Sequence, residues 1–270
     1  MPFLRRDRSV PPMTSPPPTV SAPARESLIL VGDTSADVMV LARLLARATD
    51  GTVLQTSDPV EEAIRRRHLG LVVVRSAPAR ATRKKLDALV RDAPCPVAVA
   101  PVGYAGRAPA ALRRIGVAFD GWEESRVALA EAAVLAEGGV ADVQVLMVAD
   151  PHTAASAQAG AGDDEWLLGH GALADRYLQG VTENLASRIR AQHSVLQGQV
   201  APALVSAARS QHLDLLVLGS RRLGAIARVA LGSVSHALLA DPPCALLVCP
   251  RGVAAPRETA SLAGVARRVV

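Results

Sequence analysis

The chain predicts an α/β fold made of two tandem parallel-sheet units. Three observations carry that prediction. Short apolar runs alternate with amphipathic segments, the pattern of βαβ units joined by right-handed crossovers. The alternation pauses at "VGYAGRAPA" (102–110) and then begins again. Short sequences also recur in order. "DAPCPVAVAP" (92–101) and "DPPCALLVCP" (241–250) match at Asp92/Asp241, Pro94/Pro243, Cys95/Cys244, Val99/Val248 and Pro101/Pro250, at a constant offset of 241 − 92 = 149. "HLGLVVVRS" (68–76) matches "HLDLLVLGS" (212–220) at an offset of 144, and "VLQ" recurs at 53–55 and 195–197, an offset of 142.

The elements follow in order. Residues 1–25 are rich in Pro, Ser and Arg, lack a hydrophobic period and read as a disordered tail. The first unit spans 26–103. "LILVGD" (28–33) is an apolar run closed by Gly-Asp, as in a buried parallel strand. Val38, Leu41, Leu44 and Leu45 then fall at helical spacing behind Ser35, a candidate N-cap. A strand at 52–56, a helix at 59–69, a strand at 71–74, a helix at 81–92 and a strand at 96–100 complete the unit. Residues 104–111 form a linker, and the second unit spans 112–251. It opens with the strand "IGVAFD" (115–120), again ending in Asp. The helix 123–137 is expected to stop at Gly138-Gly139, glycine being a common helix terminator. A strand (142–150), a small-residue loop (151–164) and a long helix from about 166 to 191 follow. The unit closes with a strand at 194–198, a helix at 201–211, a strand at 213–219, a helix at 234–240 and a strand at 244–249. Residues 252–270 read as a flexible tail.

Composition narrows the function. Half the residues are hydrophobic and only 2% are aromatic, so a core is available but stacking platforms for single-stranded nucleic acid are few. The net charge of +5 sits in the tails: residues 1–25 contribute +3, residues 251–270 another +3, and the body carries −1. A folded nucleic-acid surface needs its basic residues on the body, so no nucleic-acid partner is expected. Cys95, Cys244 and Cys249 are too few for a disulfide framework and lie in or beside apolar strands, as buried small hydrophobes do. No secretory leader or membrane-spanning run is visible, which points to a cytoplasmic protein without a membrane partner.

The two units are unequal. From Asp33 to Val53 is 20 positions; from Asp120 to Val195 is 75. The first unit therefore lacks about one strand and one long helix, placed at about 143–191 of the second. Its loop after "LVVVRS" is also five residues shorter, and Arg75 stands where the second unit has Gly219. Asp33 is accordingly expected to be structural or vestigial.

The loop retained only in the second unit reads "GSRRLGAIARVALGSVS" (219–235). It joins the end of an apolar strand to a helix beginning near Val234. Free backbone N–H groups, the helix dipole and glycine's close approach make Gly232-Ser233 a candidate phosphate site. The alternative is a Gly-Ser turn with an N-cap serine. Both Asp120 and Gly219 close strands, at the end of an open α/β sheet where ligands bind.

Tandem βαβ copies, a first strand ending in Asp, "GSRR", nine residues, "GSVS" and a final "PPCALLVCP" resemble the universal stress protein family, over about 112–251 well and 27–102 in reduced form. The resemblance implies a Rossmann-like fold and a pseudo-dimer whose last strands pair within the chain, Val97–Ala100 against Leu246–Cys249, or a homodimer through the same strands. It implies ATP, with or without Mg2+, in the second unit: Asp120 at the ribose or a metal, Ala118 and Val148 along the adenine, Leu218 and Gly219 beside the nucleotide, and Gly232, Ser233, Val234 and Ser235 at the phosphates. The family's motif is Gly-x-x-Gly, nine residues, Gly-Ser or Gly-Thr. Here Arg222 occupies the second glycine position. Its side chain either blocks approach of a phosphate or contacts the phosphate through its guanidinium. Trp122, after "DG", either shades the pocket or packs beneath the next helix, and packing is the expectation.

The six histidines show no zinc spacing, and Ser233, Ser235 and His236 lack the nucleophile-elbow context of a hydrolase. No catalytic residue or metal ligand set is assigned. The function implied is a stress-response regulator or sensor that binds adenine nucleotide and is not an enzyme. The alternative is an interaction module whose nucleotide site Arg222 impairs. An enzyme of the wider adenine-nucleotide α-hydrolase-like group would need an acid–base pair that the sequence does not offer.

Overall fold

The computed structural model describes residues 28–57, 59–66, 70–77, 79–149, 171–220 and 232–253. The expected tail 1–25, the loop 151–164, the segment 166–170, Arg222 and nearly all of the tail 252–270 lie outside these residues. The described residues form nine strands: β1 Leu28–Val31, β2 Thr52–Gln55, β3 Leu71–Arg75, β4 Val97–Ala100, β5 Arg114–Ala118, β6 Asp142–Ala149, β7 Ala191–Gln197, β8 Leu215–Gly219 and β9 Ala245–Cys249. Seven α-helices accompany them: α1 Ala36–Thr49, α2 Val60–Arg66, α3 Arg80–Asp92, α4 Glu123–Gly139, α5 Gly171–Leu185, α6 Val200–Ser210 and α7 Ser233–Ala240.

All nine strands join one sheet in the order β2-β1-β3-β4-β9-β8-β5-β6-β7. Every pair is parallel except the central one. There β4 runs antiparallel to β9, with Val97 opposite Val248, Ala98 opposite Leu247 and Val99 opposite Leu246. The last strands thus meet as expected, and the whole of β4 and β9 is buried. The apolar cores on both faces cross this join. On one face α1, α4 and α5 pack over residues such as Val31, Ala98, Val117 and Leu247. On the other, Leu86 and Val90 of α3 share a cluster with Leu238 and Leu239 of α7 and with Leu204 of α6.

Strand registers correct the comparison of the two halves. β2 pairs with β1 so that Ile29 faces Val53, just as Ile115 of β5 faces Val143 of β6. β2 therefore takes the place of β6, not of β7, and the "VLQ" match at 53–55 and 195–197 is not positional. The strand without a counterpart is the outer β7. β2 also stops at Gln55, level with Val145, so it never reaches the height of Val148 on β6.

Two helix ends differ from expectation for stated physical reasons. The helix α4 continues through Gly138 and Gly139, and the left-handed cap residue is Val140, at φ 52°, whose N–H reaches the Ala136 carbonyl. Gly138 is there for another purpose: a Cβ would overlap the carbonyl oxygen of Ala48 at the end of α1. The long helix ends at Leu185, earlier than 191, because β7 begins at Ala191 to pair with Val143 on β6. The linker is also tightly held. Tyr104 and Leu112 are buried, and Asp37 in the first turn of α1 accepts the N–H groups of Gly103 (3.0 Å) and Ala105 (2.8 Å).

Candidate functional site

Parallel strands all end on the same side, and the loops that leave them frame a crevice there. In the second half this crevice is a cavity of about 130 Å³. Its walls come from the ends of adjacent strands: Ala118 at the end of β5, Leu146 and Val148 on β6, and Leu218 and Gly219 on β8. Val200 and Leu204, one turn apart on α6, close one side. Gly232, Ser233, Val234 and Ser235 at the start of α7 form the other end, and Phe119, Asp120 and Ser125 complete the rim.

Nine of the ten predicted site residues therefore lie together: Ala118, Asp120, Val148, Leu218, Gly219, Gly232, Ser233, Val234 and Ser235. The tenth, Arg222, lies outside the described residues. Sequence reasoning did not select Phe119, Ser125, Leu146, Val200 or Leu204. Two periodicities could have found three of them: the i, i+2 spacing of Leu146 and Val148 and the i, i+4 spacing of Val200 and Leu204. Phe119 and Ser125 carry no such signal.

Local hydrogen bonds fix the polar rim. Asp120 accepts the Trp122 N–H on Oδ1 (3.1 Å), a short-range loop that turns the chain into α4. The buried Ser125 hydroxyl donates to the Trp122 carbonyl (2.9 Å) and accepts the Asp120 N–H (3.4 Å). Trp122 itself is 41% exposed and is neither buried beneath the helix, as expected, nor part of the cavity wall. It is the residue before α4's first turn, and its backbone, held by Asp120 and Ser125, directs its side chain outward.

Gly219 permits a close approach. A Cβ there would overlap the backbone carbonyl of Glu124 and come within 2.7 Å of the Glu124 Cβ. The first turn of α4 is thus seated directly over the end of β8. Arg251, just past β9, reaches the largely buried Glu124 carboxylate (3.5 Å) and holds the same turn from the next strand.

At the far end, Gly232 occupies the N-cap of α7 and offers no side chain to cap the helix. The first N–H groups of a helix have no partner within it, and together with the dipole they favour an anion. Ser235 is buried and Ser233 exposed beside these groups. The arrangement puts aliphatic walls at one end, a carboxylate at the rim and the first N–H groups of α7 at the other end.

At the corresponding place in the first half, the polar residues engage one another. Asp33 accepts the Ser35 N–H on Oδ1 (2.8 Å) and the Ser35 hydroxyl on Oδ2 (3.1 Å), and Arg75 Nε lies 3.7 Å from that same Oδ2. Arginine at the position of Gly219 thus sets a cation beside this aspartate. Asp33 is engaged locally, in keeping with a structural role. His236 does not turn toward Ser233 or Ser235: its Nδ1 lies 3.0 Å from Asp87 Oδ2 on α3.

Comparisons with known proteins agree with this architecture. The profile of the universal stress protein family matches residues 111–250. A relative from Thermus aquaticus, "Universal stress protein in QAH/OAS sulfhydrylase 3'region", is 43% identical over 54 residues, which is 20% of this chain and 39% of that protein's length. Among solved structures, a universal stress protein from Archaeoglobus fulgidus DSM 4304 superimposes with a TM-score of 0.55 at 18% identity, covering 79% of this chain and 77% of the other. A putative universal stress protein from Pseudomonas aeruginosa UCBPP-PA14 gives 0.50 at 15% identity, over 90% and 86%. These two carry the fold alone, whereas the profile spans more than half of the sequence. The chain belongs to the universal stress protein family.

Proposed function

We propose that the protein binds an adenine nucleotide, ATP, in the cavity of its second half and serves as a cytoplasmic stress-response regulator or sensor, not as an enzyme. The observation that carries this is the meeting of an aliphatic slot with an uncapped helix N-terminus at Gly232. Ala118, Val148 and Leu218 suit the faces of a purine, which an apolar slot takes from water at a gain of roughly 25 cal/mol per Å². Asp120 would hold ribose hydroxyls, and the N–H groups of Ser233, Val234 and Ser235 would hold phosphates. The oxygen donors Asp120 and Ser233 also suit Mg2+, which would neutralise phosphate charge. In the same proposal the halves are a tandem pair, and the first has become the structural partner of the second.

Calorimetric titration with Mg-ATP, together with analysis of any nucleotide that co-purifies, tests this. One site per chain is expected, with Gly232→Trp abolishing binding and Asp120→Ala weakening it about tenfold or more. No heat at millimolar ligand, or full affinity in Gly232→Trp, would overturn the assignment; the former favours a nucleotide-free interaction module.

A further inference from the structure

We infer that Asp87 and His236 form a matching pair on a local two-fold axis, by which the two halves of the chain fit each other and reject a copy of themselves. The inference rests on the proposal that the halves are a tandem pair and not on nucleotide binding. In a two-fold interface, residue i meets j while j's counterpart meets i's, and a residue on the axis meets its own counterpart. The join obeys this rule. At the offset of 149, the counterparts of Val97 and Val99 are Leu246 and Val248; Val97 pairs with Val248 and Val99 with Leu246. Ala98, between them, pairs with its own counterpart Leu247.

The axis continues through both faces. On the face of α3 and α7, Asp87 and His236 are separated by 149 positions, so they too are counterparts, and they touch at 3.0 Å. On the opposite face the left-handed caps Asp50 (φ 49°) and Val140 (φ 52°) correspond, which makes counterparts of Ala48 and Gly138. These also meet, at the overlap that glycine avoids.

Self-pairing would therefore set like against like. Two second halves joined through β9 would bring imidazole to imidazole. Two first halves joined through β4 would bring carboxylate to carboxylate, and an Ala48 Cβ against an Ala48 carbonyl. The unlike pair sets an imidazole N–H against a carboxylate, whereas two carboxylates have no donor between them and two imidazoles repel each other once protonated. The Asp87 side chain is 20% exposed and its Oδ1 has no hydrogen-bond partner, so His236 supplies its contact across the join. Among the described residues, the charges one turn from Asp87 on α3 are Arg83, bonded to the Ala77 carbonyl, Arg91, bonded to Asp92, and the exposed Lys84. α7 has no other charged side chain, and Arg209, the one charge on α6, reaches Asp241.

A charge-swap cycle on the full chain tests the pair, read as Tm against pH. Asp87→Asn sets the baseline for losing the charge without adding repulsion. His236→Asp is expected to lower Tm by roughly 3–6 °C at pH 7 and to recover as pH falls toward about 4, where one carboxylate takes a proton. Asp87→His should show the reverse, worst near pH 5 and recovering above about pH 7. The double variant, Asp87→His with His236→Asp, should return to within about 2 °C of wild type. Additive losses in the double variant overturn the matching pair. The tandem join itself is read separately: Ala98→Cys with Leu247→Cys should cross-link under mild oxidant at monomer mass, and its failure to do so would sink the join whatever the charges do.

Discussion

Replacing Gly138 by alanine sets two effects of opposite sign against each other. Intrinsic helix propensity favours alanine by about 1 kcal/mol. The site opposes it, because the new Cβ would overlap the Ala48 oxygen and stand 2.9 Å from the Ala48 carbonyl carbon. An ordinary C···O contact is about 3.3 Å or more, and the neighbour is backbone that cannot swing away. The ends of α1 and α4 must separate, which loosens the core between them; such overpacking costs about 1–3 kcal/mol and more when backbone moves. The net expectation is destabilisation by about 1–2 kcal/mol, a fall in Tm of roughly 2–8 °C for a chain of this size. Gly139 supplies the control. A Cβ there would sit 3.6 Å from the Ala48 Cβ, an ordinary contact, so Gly139→Ala keeps only the propensity gain and should raise Tm by a few degrees. Thermal and urea unfolding of both variants decide the matter. A Gly138→Ala protein as stable as the Gly139→Ala protein would refute the close approach.

Val140→Gly should stabilise the chain by about 1 kcal/mol, since a β-branched residue at φ 52° gives way to one that favours that conformation; the urea midpoint reports it. Gly219→Ala should lower Tm and, if ATP binds as proposed, also cut affinity, because the Cβ displaces the first turn of α4 from the cavity rim. Burial raises the Cys244 thiol from its ordinary value of about 9 to about 12. Its neutral form is thus favoured in the folded state: the associated stability is present below about pH 9 and is lost as pH rises toward 12, so the urea midpoint should hold between pH 7 and 9 and then decline. Native protein should also leave its three buried cysteines unreacted with a thiol reagent at pH 8, and all three should react on unfolding.

Much of this was legible in the sequence because parallel sheets write themselves as buried apolar runs. The repeat "PCPVAVA" and "PCALLVC" marked two like strands, the family resemblance implied that they pair, and Asp120, Gly219 and Gly232-Ser233 pointed to one cavity. What escaped shares a cause: it depends on which element lies opposite. Gly138 was read as a helix terminator because local pattern cannot show Ala48 across the join. "VLQ" was matched to the wrong strand because three residues fix a composition and not a neighbour; the register of Ile29 with Val53 fixes the neighbour. Phe119 lines the cavity from the loop after β5 and Ser125 from the first turn of α4, and neither position carries a period that points to it. Asp87 and His236 look like solvated helix residues until α3 and α7 are placed side by side.

Joining the halves through β4 and β9 has a consequence for the ribosome. β4 is made 149 residues before the strand that covers it, and at 5–20 residues per second that is a delay of roughly seven to thirty seconds. Through that interval the nascent first half presents a short, wholly apolar "VAVA" edge, a template for pairing with another chain. Pro94, Pro96 and Pro101 bracket that edge and limit how far a stranger can zip along it. The same prolines that frame the strand in the finished sheet are thus placed to guard it while the second half is still being synthesised.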